Sequence, residues 1–157
     1  MMDKISNALY SFALVFITAV MAKHFTFTGL EYFYDTLAIS PLTPEKVYFS
    51  HVWMFNYLLL FISFYIVLES KKTIEQFKEA NYLFILLLFM QVLWCFSFFY
   101  MEQIVISTVV IVLLDIIAGL MLHTFLYINK WAFVLLIPYL LWILFATYLN
   151  IFISMMN

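Results

Sequence analysis

The sequence predicts an all-α membrane protein, a five-transmembrane-helix bundle, from three observations. The first is composition: of 157 residues, 68% are hydrophobic and only 10% are charged, with a mean hydropathy of +1.08. A soluble domain carries roughly a quarter charged residues, and seven Lys, no Arg and nine Asp plus Glu cannot clothe one of this size. The second is a recurrence of apolar runs long enough to cross the hydrocarbon core, which takes about 20 residues, each bounded by short polar clusters. The third is that none of these runs alternates apolar with polar residues as an outer-membrane strand does. That leaves the helix, which satisfies its backbone polar groups within one segment.

The same numbers exclude several function classes. A net charge of −2 offers no basic patch for nucleic acid. Two Gly and three Pro leave no glycine-rich phosphate loop. The single cysteine, Cys95, sits in an apolar run, so neither a disulfide framework nor a thiolate zinc site is expected, and the residue reads as a small buried hydrophobe.

One integral-membrane domain is expected over residues 1–157, with helices at about 5–22, 47–68, 80–101, 104–127 and 131–154. The first helix has an alternative reading as a signal peptide, with Lys4 ahead of an apolar core and Val20-Met21-Ala22 as cleavage site; its spanning length and the anchoring Lys23 favour a membrane span. Helices 3, 4 and 5 are joined so tightly that they must run antiparallel. The first link, about 23–46, is different: Phe25, Phe27, Tyr32, Phe33 and Tyr34 make it too aromatic for a solvated linker, and it is expected to fold back as a lid. Lys4, Lys71, Lys72, Lys78 and Lys130 fall on the side of the N-terminus, against Lys23 and Lys46 on the other. The positive-inside rule therefore puts the N-terminus in the cytoplasm. The lack of Arg beside abundant Phe, Ile and Lys points to an AT-rich genome and a bacterial cytoplasmic membrane.

Polar groups within a span need partners, so they mark faces turned toward protein. Asp115, near the middle of helix 4, shares a face with Thr108, Ile111, Ala118 and Gly119. It reads either as a proton or ion relay or ligand contact, or as a structural carboxyl tying helix 4 to a neighbour; the sequence holds no second carboxylate within a span to pass a proton to. Gln91, Trp94 and Phe98 fall on one face of helix 3, Trp53 and Tyr57 are four apart on helix 2, and Pro138, Trp142 and Ala146 are each four apart on helix 5. Such stripes suit either ordinary core packing and an interfacial belt or a cavity for a flat apolar ring with a few acceptors. Lys23, His24, Lys46 and His51 flank loop 1, either as anchors at the water boundary or as contacts for an anionic ligand. None of the three His is spaced with another ligand for a metal, and no metal or other cofactor is expected.

Three stretches resemble a known family. LLIPYLLWILFATYLN, Leu135 to Asn150, is similar to the signature of the tryptophan-rich sensory protein family, also called the translocator protein or peripheral-type benzodiazepine receptor family. Its Pro-Tyr-x-x-Trp and Phe-Ala-Thr-x-x-Asn elements fall on Pro138, Tyr139, Trp142, Phe145, Ala146, Thr147 and Asn150. LTPEKVYFSHVWMFNYLL resembles the family's entry to helix 2, with Pro44, Phe49, Val52, Trp53 and Tyr57 in place, and QVLWCFSFF resembles its helix 3, with Gln91 where the family has Asn. The paired prolines of the family read Pro44-Glu45 here, its Gly-Pro ahead of Trp53 reads Ser50-His51, and no basic residue follows Tyr148 to complete a sterol-recognition pattern.

The resemblance implies a homodimeric five-helix bundle with a porphyrin-binding cavity under loop 1 and a sensory role. Trp53, Tyr57, Trp142 and Ala146 are the residues it carries over to the cavity, with Gln91, Trp94 and Phe98 on the adjoining face. Light-dependent porphyrin degradation, with Trp53 and Trp142 as electron partners, and transport of a tetrapyrrole, a sterol or an ion are the alternatives it leaves open.

Overall fold

The computed structural model describes residues 3–30 and 32–157; Met1, Met2 and Glu31 lie outside them. Among the described residues there are five long helices, α1 (Lys4–Leu30), α2 (Lys46–Glu69), α3 (Ile74–Cys95), α4 (Ile104–Ile128) and α5 (Lys130–Met156), and no strand. A π-helical turn, Phe96–Tyr100, extends α3, and a single 3₁₀ turn, Tyr34–Thr36, interrupts loop 1. All five helices are long and apolar enough to cross a membrane.

Two ends differ from the sequence expectation, each for a local reason. Helix 1 does not stop at Ala22 but continues to Leu30, so loop 1 begins after residue 30 rather than at Lys23. The expectation took Lys23-His24 for the water boundary. In the fold the polar residues beyond them are satisfied within the helix, Thr26 Oγ1 donating to the Ala22 carbonyl at 2.8 Å and Thr28 Oγ1 to that of Phe25 at 2.6 Å. Helix 3 starts six residues ahead of the expected Ala80, at Ile74. Thr73 accepts from the Gln76 amide while the Gln76 side chain accepts from the Thr73 amide, at 3.1 and 2.9 Å. This reciprocal capping box satisfies two free N–H groups and fixes the start despite the charged first turns.

The helices pack in the ring order α1, α2, α5, α4, α3, closing back on α1. Although α2 and α3 are sequence neighbours, their backbones hardly meet. The link Ser70 to Thr73 holds them together at one end only, and Phe64 and Phe84 stack across the gap there with centroids 3.9 Å apart and planes at 11°. Around that stack Leu60, Leu87, Leu114, Met121, Phe125 and Leu136 are fully buried. Side chains such as Phe12, Phe16, Val105, Ile116 and Leu141 stay exposed on the outside, which is where lipid takes the place of water.

At the other end α1 touches the π-helical turn closely. A Cβ on Gly29 would lie 2.0 Å from the Phe99 carbonyl oxygen, so only glycine fits. Loop 1 then crosses the ends of α2 and α5. It is held by Lys46 to Asp35 at 2.6 Å, by the Ala38 amide donating to Asn157 Oδ1 at 2.9 Å, and by Ser40 Oγ against the Tyr148 hydroxyl at 3.2 Å.

Candidate ligand cavity

The half of the bundle beneath loop 1 is hollow. A cavity of about 410 Å³ lies between α1, α2 and α3, with Ala19, Ala22 and Thr26 on one side, Trp53 and Tyr57 on the second, and Gln91, Trp94, Cys95 and Phe99 on the third. A smaller space of about 130 Å³ adjoins it under the loop, bounded by Tyr34, Pro44, Lys46, Phe98, Ala146, Asn150 and Ile153. Thr26, Phe27, Phe49, Ser50, Trp94 and Phe99 border both.

Trp53 is the centre of the aromatic wall. Its ring lies 5.8 Å from Trp94, 6.1 Å from Tyr57, 6.2 Å from Trp142 and 6.3 Å from Phe49. Aromatic pairs at these separations and tilted angles gain from edge-to-face attraction beyond simple burial. One ring of this wall, and the amide beside it, are fixed by hydrogen bonds. The Trp94 indole donates to Asn150 Oδ1 at 2.9 Å, and Asn150 Nδ2 in turn donates to Thr108 Oγ1 at 2.7 Å. Tyr139 donates to Gln91 Oε1 at 3.0 Å, with both residues fully buried. Gln91 borders the larger space, and its Nε2 is buried without a partner among the described residues. An unpaired buried N–H costs about 1–3 kcal/mol.

The site expectations resolve unequally. Trp53, Tyr57, Gln91 and Trp94 border the larger space, and Trp94, Phe98 and Ala146 the smaller one. Trp142 stands behind Trp53 and Phe49, 5.3 Å from the latter, and its indole N–H is buried without a partner among the described residues. The helix 5 stripe is only partly interior, because Pro138 is exposed while Ala146 is buried.

The expected charged mouth is split. Lys23 borders the larger space and Lys46 the smaller, whereas His24 and His51 point elsewhere: both are exposed, His51 Nδ1 lies 2.7 Å from the Val47 carbonyl, and His24 packs edge-on to Phe25. Since α1 remains helical through residue 24, successive side chains diverge by about 100°, and Lys23 and His24 cannot share a mouth. Burial, reinforced by the neighbouring Asp35 carboxylate, pushes the Tyr34 phenol above its ordinary value, so it faces the smaller space as a neutral hydroxyl.

Asp115 borders neither space. It accepts from Thr147 Oγ1 at 2.8 Å across the α4–α5 seam, about one turn along α5 and two along α4 from the Asn150 to Thr108 bond. The carboxyl thus joins two helices through one oxygen, while Oδ1 is buried without a partner among the described residues.

Sequence reasoning missed Phe49, Cys95 and Phe99 as wall residues and gave Asn150 no task. The first three are ordinary apolar residues in apolar runs and carry no signal of their own. Asn150 did carry one, being an amide within a span.

Comparison with known proteins agrees with this layout. The TspO/MBR family matches residues 11–156. A tryptophan-rich protein TspO from Chlorobaculum tepidum is 32% identical over 133 residues, 85% of this chain and 84% of the relative. Another protein of that name, from Archaeoglobus fulgidus, is 32% identical over 146 residues, 90% of this chain and 94% of the relative. With five apolar helices and a match that runs from the first span to the last, the chain is an integral, multi-pass membrane protein and belongs to the TspO/MBR family.

Proposed function

We propose that the cavity binds a porphyrin or a similarly flat apolar ring and that the protein acts as a membrane-embedded binding and sensing protein. One observation carries this reading: an aromatic wall centred on Trp53 borders a cavity of about 410 Å³ together with Gln91, whose side-chain amide keeps an unpartnered donor among the described residues. Small-molecule sites are mostly apolar, run from about 300 to 1,000 Å³ and fix orientation with a few polar groups. The family resemblance supports the same class of ligand. Among the described residues, loop 1 is tied to α2 and α5 by a few polar contacts, so a guest pressing on Phe98, Tyr34 or Pro44 would alter the loop, which is the face a partner can read.

Titration of the purified protein with protoporphyrin IX tests the reading through quenching of Trp fluorescence. Replacing Trp53 and Trp142 together by Phe should weaken binding, and Gln91→Leu should weaken it about tenfold, the equivalent of one well-placed hydrogen bond. Unchanged affinity in both variants would overturn the site. The contact series Trp94, Trp53, Trp142 also favours a second reading, in which light absorbed by the bound pigment drives its own oxidation by dioxygen with the indoles as electron partners. Illumination of the complex in air should then yield a new absorption spectrum that Trp53→Phe lacks.

A further inference from the structure

The walls of the larger cavity are unequal. On α3, Gln91, Trp94, Cys95 and Phe99 are all buried. On α1 and α2 the wall includes exposed residues, Lys23, Phe27, Ser50 and Met54, the last 69% exposed. These two helices pack closely in their other halves, where Ser11 Oγ donates to the Phe61 carbonyl at 2.9 Å and the Phe12 and Phe61 rings meet at 6.0 Å. Toward loop 1 the α1 side is built from Ala19 and Ala22, too small to reach α2, and a cleft opens between the two helices.

The cleft lies within the spans. Met54 is eight residues into α2 and Lys23 seven from the end of α1, so each sits about 10–12 Å from its helix end at 1.5 Å per residue. With α1 and α2, about 36–40 Å long, centred on a hydrocarbon core of about 30 Å, that depth falls a few ångström inside the core's edge, where a Lys reaches the headgroups with its ammonium while its stem stays in apolar surroundings. The Lys23 ammonium lies over the Phe27 ring, 5.5 Å from its centroid, and the one ion pair among the described residues is elsewhere, between Lys46 and Asp35. Entry from the loop side would instead have to break that pair and the Ala38–Asn157 and Ser40–Tyr148 contacts.

We propose that the α1–α2 cleft is the ligand port, opening sideways into the bilayer, and that Lys23 is its specificity-determining residue. The ligand class is then a flat apolar acid dissolved in the membrane. Such an acid already lies with its ring at acyl depth and its carboxylate at the headgroups; it enters ring first between Ala22 and Met54 and leaves the carboxylate on Lys23. The proposal rests on the binding reading above.

The test uses the full chain in nanodiscs of phosphatidylcholine, which offers Lys23 no competing anionic lipid, with protoporphyrin IX and its uncharged dimethyl ester as probes. Met54→Trp should slow association of both probes by about tenfold and Met54→Ala should speed it; the association rate is the readout, because Met54 also borders the cavity and its variants can shift equilibrium affinity as well. Lys23→Gln should weaken the acid about tenfold, as loss of one charge-assisted contact does, and leave the ester unaffected. Association that ignores both Met54 variants but accelerates in Asp35→Asn would overturn the port in favour of entry under loop 1. Equal effects of Lys23→Gln on acid and ester would overturn the selective role. If the wild-type protein quenches with neither probe, the binding reading itself fails; if it binds both and only the variants are silent, the port alone fails.

Discussion

The two halves of the bundle are built from the same five helices and comparable numbers of aromatic rings, yet one is solid and the other hollow. Where Ser70 to Thr73 joins α2 to α3, Phe64 stacks nearly parallel on two core rings, Phe84 at 11° and Phe125 at 16°. Hydrogen bonds between helices close the same end, Asn7 to Glu69 at 2.7 Å, Tyr10 to Asn81 at 2.8 Å and Thr124 to Glu79 at 2.7 Å. Beneath loop 1 the rings around Trp53 meet at angles from 35° to 80°. Tilted rings leave wedges between them, and no short link draws α2 and α3 together. A cavity in a helix bundle is thus a matter of which ends are tied, more than of how apolar the walls are.

That contrast can be broken from the solid side first. Phe64→Ala removes the ring that bridges α2 and α3, and a core truncation of this size costs about 3–5 kcal/mol; the thermal midpoint in detergent should fall by more than in any variant of the cavity wall. Next comes the seam where the hollow half is held shut. Gly29→Ala drives a methyl group into the Phe99 carbonyl and should cost about 1–3 kcal/mol, whereas Gly119→Ala, where a methyl group meets nothing within 4 Å, should be neutral or gain up to about 1 kcal/mol from helix propensity. Melting curves of the pair separate close packing from generic glycine effects. The smallest change is expected from Asp35→Asn. Its partner Lys46 and Asp35 itself are both 49% exposed, and such pairs contribute about 0–1 kcal/mol. Stability should barely move, while proteolysis within loop 1 should quicken if the pair latches the loop.

The solid half was largely legible from sequence, because lipid leaves a chain few choices: apolar runs of spanning length become helices, and short links make neighbours. The hollow half was legible only as stripes. The spacing of Trp53 with Tyr57 and of Gln91 with Trp94 identified faces, but which residue lines the space and which stands behind depends on helix rotation, as Trp142 shows. The end of α1 was misplaced because Lys23 and His24 resemble a boundary, while the features that carry the helix onward, Thr hydroxyls bonded to their own backbone and one glycine against a distant carbonyl, are tertiary or local satisfactions that a polarity count does not weigh. Asp115 stood out in sequence for its cost in lipid, and the hydroxyl it accepts from, that of Thr147, lies on another helix.

The π-helical turn at Phe96–Tyr100 bears on how this chain tolerates changes of length. Its wide winding, with the Met101 amide reaching back to the Phe96 carbonyl at 2.9 Å, lets three consecutive residues, Ser97, Phe98 and Phe99, all be buried. A regular helix fans three successive side chains over about 200° and would turn one of them outward. The turn is in effect one residue of slack taken up inside a span. Deleting a single residue there would restore regular winding and swing Phe99 away from Gly29, so the cavity is sensitive to gaps in this segment even where it absorbs substitutions. Among relatives, an insertion or deletion at 96–100 would mark a rebuilt pocket more surely than an exchanged tryptophan.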